Sequence, residues 1–158
     1  MIFITIGTSL PFDRLVRAMD ALVPDFPEQR FFAQIGEGAY TPANIPFVRM
    51  LSALEYAQHI EASRVIVAHA GMGSLISAVE AGRPIVALPR RLASGEINTD
   101  HQVATARRWM GKAGVHVAME DADLAAALGQ ALTQSAAGSR LEPTPGFIAR
   151  IREFIEKT

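Results

Sequence analysis

The densest chemistry in the sequence is the run His69-Ala70-Gly71-Met72-Gly73-Ser74. Two glycines let backbone approach a ligand closely, free N–H groups at the start of a helix attract negative charge, and His69 and Ser74 add side-chain donors. That set suits the oxygens of a diphosphate. Gly7-Thr8-Ser9 offers a second place, with a glycine for close approach and two hydroxyls for a phosphate oxygen; an N-cap turn accounts for the same residues equally well. The third is the polar run from Arg90 and Arg91 to Asp100, His101 and Gln102. Asn98, Asp100, His101 and Gln102 could hydrogen-bond a polyhydroxylated ligand, and the arginines could pair with phosphate or carboxylate. A solvated loop whose Asp100 caps the next helix competes with that reading.

Several alternatives fail on spacing. A dinucleotide fingerprint, Gly-x-Gly-x-x-Gly, needs a third glycine where Ile76 stands, and no Lys-Ser or Lys-Thr pair follows to make a Walker A loop. A tight turn around a satisfied histidine remains the structural alternative for the His69 run. Glu80, on the same helix as Ser74, would accept from ribose hydroxyls if it faced a cleft, and would otherwise be solvated. Gln34, beside Gly36, is a weaker cleft candidate. His59 and His116 have no partner pattern, so neither a metal site nor a cofactor is expected.

The elements that must position these residues alternate. Residues 2 to 6 are an apolar, β-branched strand ending at Gly7, followed by helical spacing of Phe12, Leu15, Val16, Met19, Leu22 and Val23 up to Pro24. Residues 30 to 35 and 47 to 50 read as further short strands, with Leu54, Ala57 and Ile60 on a short helix after them. Residues 65 to 68 form an unbroken apolar run, as in a parallel strand covered on both faces, and lead straight into the His69 run. A helix to Gly82, a strand from Pro84 to Leu88, a helix over 101–112, a strand over 115–118 and a helix over 121–132 complete the series. Such alternation predicts an α/β fold, Rossmann-like, in which a parallel sheet carries helices on both faces and ligands sit beyond the carboxyl ends of the strands. Residues 1–134 are expected to form this domain and 135–146 a Ser/Gly/Pro/Ala-rich linker. In 147–158, Phe147, Ile148, Ile151, Phe154 and Ile155 stripe an amphipathic terminal helix, part of the same domain or docked on a partner.

Composition narrows the class. With 158 residues, 49% hydrophobic and 20% charged, the chain can build a core, so disorder is excluded. A formal charge of −1 disfavours general nucleic-acid binding, and the absence of cysteine removes disulfides, thiolate metal sites and a cysteine nucleophile. The apolar N-terminus has no basic leader or cleavage site, and no apolar run approaches the roughly 20 residues of a membrane span. A cytoplasmic location is expected.

In order along the chain, Ile4-Thr5-Ile6-Gly7-Thr8 with Phe12-Asp13, Gln34-Ile35-Gly36, His69 to Ser74, Glu80-Ala81-Gly82-Arg83-Pro84, Pro89-Arg90-Arg91 and Asn98-Thr99-Asp100-His101-Gln102 resemble the C-terminal, donor-binding half of GT-B glycosyltransferases of family 28. The similarity is greatest to the soluble subunit of two-component enzymes of dolichol-linked glycan and bacterial exopolysaccharide synthesis. It implies that Gly71, Gly73 and Ser74, with His69, hold the diphosphate of a UDP-sugar. Thr8 and Ser9 then approach the same phosphates, and His101-Gln102 contacts the donor sugar. Ser77 departs from the pattern: many relatives place the ribose-binding glutamate there, one turn before Glu80.

The same resemblance implies an incomplete enzyme. The acceptor half would be a separate membrane-associated chain, and the present one a cytoplasmic subunit held at the inner face of the membrane through it. The expected activity is metal-free, inverting transfer from a UDP-sugar to a lipid-linked saccharide, with the acceptor base on the partner. The alternative is a non-catalytic nucleotide-sugar-binding regulatory module, which Ser77 keeps open.

Overall fold

A computed structural model describes residues 1–136. Strand β1 (Ile2–Thr5) shows why both faces of the sheet are covered: all four residues are buried, with Ile2 and Ile4 pointing into one apolar layer and Phe3 into the other. Helix α1 (Asp13–Leu22) buries Leu15, Val16 and Met19 on the first face, and a short 3-10 turn with Pro24 ends it. Strand β2 (Phe31–Gln34) and the two-residue β3 (Phe47–Val48) lead to α2 (Ala53–Ala62), which opens with a capping box between Ser52 and Glu55. Strand β4 (Val65–His69), α3 (Met72–Glu80), β5 (Ile85–Leu88), α4 (His101–Trp109), β6 (Val115–Val117) and α5 (Leu124–Ala136) follow.

All six strands are parallel, in the order β3-β2-β1-β4-β5-β6. Ile2 is the register partner of Phe31 on one side and of Val65 on the other. The apolar faces of α1 and α5 cover the Ile2–Ile4 side, where Phe12, Met19, Leu124 and Leu128 are buried. On the Phe3 side Ile60 of α2, Leu75 of α3, and Ala106 and Trp109 of α4 are buried against Ile66 and Ile85. From β1 the chain winds outward to β3, then returns to lay β4 against β1. That reversal opens a crevice at the carboxyl ends of the two central strands.

The expected Rossmann-like architecture is therefore present, with local differences. The strand expected over 47–50 is paired in register at Phe47 and Val48 alone; beyond it the Arg49 carbonyl still accepts from the Gly36 N–H at 2.8 Å, while the Arg49 side chain donates to the carbonyls of Gly36 and Gly38. Helix α4 stops at Trp109 rather than residue 112, because Met110 is extended and Gly111 takes a positive φ of 77°. At the last helix Asp121–Asp123 form a 3-10 turn, and α5 continues past Leu132 so that Ser135 and Ala136, expected to open the linker, are helical. The rest of that linker and the terminal helix over 147–158 lie outside the described residues.

Candidate functional site

The crevice between β1 and β4 is built around His69. Gly7, immediately beyond β1, has φ +76°, and a Cβ there would come within 2.7 Å of the His69 ring. A Cβ on Gly71 would come within 2.2 Å of Nε2. Two glycines from neighbouring strand ends thus admit the imidazole between their backbones. Its Nδ1 is buried without a hydrogen-bond partner. Burial, then the Arg90 guanidinium, lower its pKa to about 4, with the Thr5 backbone acting in the opposite sense. His69 is therefore neutral at physiological pH, with one ring N–H to offer.

Gly71 is the N-cap of α3, in extended backbone with no side-chain cap, and no carboxylate lies in the first turn. The leading N–H groups of α3 are open to a ligand, and nothing cancels the positive helix end. Gly73 has open space where a side chain would stand. Ser74 is buried, and its hydroxyl lies against the phenol of Tyr56, so its side chain faces α2; its backbone N–H belongs to the leading turn. Tyr56 carries no motif that could have marked it in the sequence. Thr8 and Ser9 are exposed on the loop after β1.

Gly73, Ser77 and Glu80 share one stripe of α3 by their spacing, and Glu80 is exposed at its last residue, roughly 9 Å along the axis from Ser74. Glu80 is thus on the helix of the cradle but at its far end. The loop from β5 to α4 brings Asn98 and His101 to the surface, His101 with Nδ1 2.5 Å from Thr99 Oγ1. Asp100 does not cap α4: its Oδ1 accepts from the Leu92 N–H at 3.1 Å.

Two expected ligand residues have structural duties. Arg90 is buried, and its side chain donates to the carbonyls of Ile6 (2.8 Å), Leu10 (2.5 Å) and Pro11 (3.3 Å). Through Nε and Nη2 it holds the loop carrying Thr8 and Ser9. Burial lowers its pKa to about 10, partly opposed by Glu96, so it stays charged at neutral pH. Gln102 is also buried, and its Oε1 accepts from the Arg90 N–H at 3.0 Å, which leaves Nε2 without a protein partner among the described residues. Gln34 pairs with Thr5 Oγ1 at 2.9 Å inside the sheet and is no cleft residue. His59 stacks on Phe32, His116 contacts Gln134, and no group of metal-ligating side chains occurs among the described residues. A separate hollow of about 530 Å³ flanks α4, lined by Arg91, Asp100, Val103 and Arg107 among others, and shares no residue with the cradle.

A doubly wound parallel domain with an uncapped helix N-terminus at its topological switch point defines a Rossmann-like α/β class. Residues 1–144 match the glycosyltransferase family 28 C-terminal domain, and the chain belongs to that family. Among solved structures it is similar to the glycotransferase of kitacinnamycin (19% identity, TM-score 0.64, covering 99% of this chain and 42% of that one). It is also similar to MurG of Acinetobacter baumannii (21%, 0.56, 99% and 49%). UDP-GlcNAc 2-epimerase from Neisseria meningitidis, bound to UDP-GlcNAc, shares the fold at 13% identity, TM-score 0.57, covering 99% of this chain and 44% of that one. No protein of curated function matches the sequence. The chain thus spans less than half the length of these solved proteins, and its fold is that of the C-terminal half of a GT-B glycosyltransferase.

Proposed function

We propose that the chain binds the donor, a UDP-sugar, for an inverting glycosyltransferase completed by an acceptor-binding chain. The observation that carries this reading is the uncapped N-terminus of α3 facing the switch point beside the orphaned Nδ1 of His69. The open N–H groups of the helix end favour an oxygen-rich anion such as a diphosphate, and the neutral imidazole packed beside them adds no carboxylate to oppose it. Gly71, Gly73 and Ser74 supply backbone N–H groups, Gly7, Thr8 and Ser9 close the opposite side, and His69 donates from its neutral ring. Asn98, His101 and the free Nε2 of Gln102 serve the sugar hydroxyls, and Glu80 serves the ribose.

In transfer, the acceptor hydroxyl oxygen bonds to the anomeric carbon while the bond from that carbon to the diphosphate oxygen breaks. The electron pair leaves with UDP, and the acceptor proton passes to a base on the partner. The role of this chain is to stabilise the charge that develops on the departing diphosphate through fixed N–H dipoles, in a site without a metal. No catalytic base is assigned to it.

Support for a covering partner comes from the rim. Of the exposed large hydrophobics among the described residues, Leu10, Met50, Leu54 and Leu92 all follow strand ends on the ligand side of the sheet. Apolar side chains around a polar cleft suit a second protein surface closing over it. That partner would be membrane-associated and present a lipid-linked saccharide, keeping this chain at the cytoplasmic face; no helix of the described residues is long and apolar enough to cross a membrane. Ser77, at the position where the family resemblance places a ribose-binding glutamate in many relatives, keeps a second reading open: a nucleotide-sugar-binding regulatory module without transfer.

Calorimetric titration with UDP, ADP and NAD, then with several UDP-sugars, tests the proposal. Selective binding of UDP and tighter binding of one UDP-sugar is expected. Preference for NAD or ADP overturns it, and UDP-sugar binding without transfer by any reconstituted complex selects the regulatory reading.

A further inference from the structure

Two loops facing the crevice are stitched together by reciprocal arginines. Arg90, in the loop after β5, grips the carbonyls of Ile6, Leu10 and Pro11 in the loop after β1. Arg14, in the first turn of α1, returns the connection. Its Nη2 donates to the Pro89 carbonyl at 2.8 Å, its Nε and Nη2 to the Glu96 carboxylate at 2.6 and 2.9 Å, and its Nη1 to Asp121 at 2.5 Å. Both guanidiniums lie near the Phe12 ring, 5.2 and 4.9 Å from its centroid.

Glu96 has two tasks at once. While bound by Arg14 through two parallel contacts, its Oε2 also accepts from the Arg91 N–H at 2.9 Å, so it closes the turn of its own loop. The pair is well sheltered, with side-chain exposures of 20% and 12%, which sets it apart from a free surface ion pair. Between Glu96 and the start of α4 the chain has only local ties, from Asp100 to Leu92 and from Thr99 to His101, until Gln102 accepts from the Arg90 N–H; Asn98 has no hydrogen bond among the described residues. The anchor at Glu96 therefore sets where Asn98 stands, while His101 rides on the start of α4, which its own buried face and the Gln102–Arg90 bond hold. The cradle at α3 is built from helix and strand backbone and makes no hydrogen bond to Arg14 or Glu96.

We infer that Arg14 and Glu96 form a positioning pair for sugar recognition, holding the β5–α4 loop against α1 while leaving the diphosphate cradle to stand alone. The inference rests on the reading of the crevice as a UDP-sugar site, and deepens it by separating its two halves. Neither residue touches the ligand; both act through the loop.

The test uses Glu96→Gln, Arg14→Met and the double variant of the full chain. In ligand-free protein, amide hydrogen exchange over 91–99 should quicken by about tenfold in each while β1 and β4 keep their protection. UDP affinity should stay within about twofold of wild type, whereas the preference for the best UDP-sugar over UDP should fall by about tenfold. The double variant should be no worse than either single, since the two side chains act as one unit. Unchanged loop exchange overturns the inference, as do additive effects, parallel loss of UDP and UDP-sugar affinity, or intact sugar preference in a loosened loop. Should wild-type protein bind no UDP-sugar, the functional reading fails, and the exchange rates alone decide whether the pair positions the loop. Glu96→Gln, a loop substitution of nearly equal size, decides the matter if Arg14→Met does not fold.

Discussion

The imidazole of His69 occupies the space that a side chain on Gly71 would need, for a Cβ there would stand 2.2 Å from Nε2 and 2.6 Å from Cδ2. Gly7 stands in a similar relation to the adjoining Cε1 corner of the ring, 2.7 Å from where its Cβ would be. These two glycines make room for a histidine first and for a ligand second. Gly73 differs, because nothing lies within 4 Å of where its Cβ would be.

Alanine at each position should separate these roles. Gly71→Ala forces the ring out of a packed niche and should cost about 1–3 kcal/mol of stability. Gly7→Ala adds the strain of a positive φ to the same clash and should cost more. Gly73→Ala sits in the first turn of α3 with free space around it, so stability should hold or rise by up to about 1 kcal/mol. If the α3 N-terminus cradles a diphosphate, Gly73→Ala should nevertheless weaken UDP binding by crowding the approach. Thermal melts beside calorimetry check this, and undiminished affinity in Gly73→Ala would remove the ligand from that turn.

How far the sequence could be read follows from the same residues. Apolar runs such as 65–68 and glycines at strand ends carry their meaning locally, so the strand-helix alternation, the parallel sheet and the glycine turn between β4 and α3 were all legible. Side-chain destinations were not. Arg90, Gln102 and Gln34 are polar residues near a predicted cleft, but each turns inward to satisfy backbone or a buried neighbour. Loop carbonyls at a strand end must be paired somehow, and no local pattern says whether protein or ligand will do it. Asp20 shows the same limit: a buried carboxylate within α1, it accepts from Tyr40, Ala43 and Asn44 and organises the loop after β2, with no motif to announce it. Pairings as distant as Arg14 with Glu96 exist only once the sheet is assembled.

His69 should leave a pH signature. Its pKa is lowered from 6.5 to about 4 in the folded protein, so between these values the unfolded chain takes up a proton that the folded one refuses. The contribution is therefore fully present above pH 6.5 and is lost as pH falls toward 4, amounting to as much as about 3 kcal/mol. Denaturant unfolding of wild type and His69→Asn across pH 4–7 should show wild type losing more stability on acidification than the variant. Equal slopes would mean that the ring is not held neutral. A bound diphosphate beside the ring would raise its pKa again, so UDP binding near pH 5 should take up protons, a quantity read from calorimetry in buffers of different ionisation heat.

Arg90 offers the sharpest division between support and recognition. If its guanidinium serves the carbonyls of Ile6, Leu10 and Pro11, Arg90→Met leaves buried acceptors without donors and should cost about 3 kcal/mol, lowering Tm by roughly 10 °C. A ligand-binding arginine would behave in the opposite way, losing affinity with little change in Tm. Gln102 can be split more finely, since one amide carries both roles. Gln102→Glu keeps an oxygen for the Arg90 N–H and replaces the unpartnered Nε2 donor by an acceptor, whereas Gln102→Leu removes both. Gln102→Leu should therefore lose about 1–2 kcal/mol of stability, the cost of an orphaned buried N–H, while Gln102→Glu remains near wild type. Affinity for a UDP-sugar, measured against UDP alone, should fall in both. If Gln102→Glu binds the sugar as wild type does, the Nε2 donor does not face it, and Gln102 joins Arg90 as a support of the loop alone.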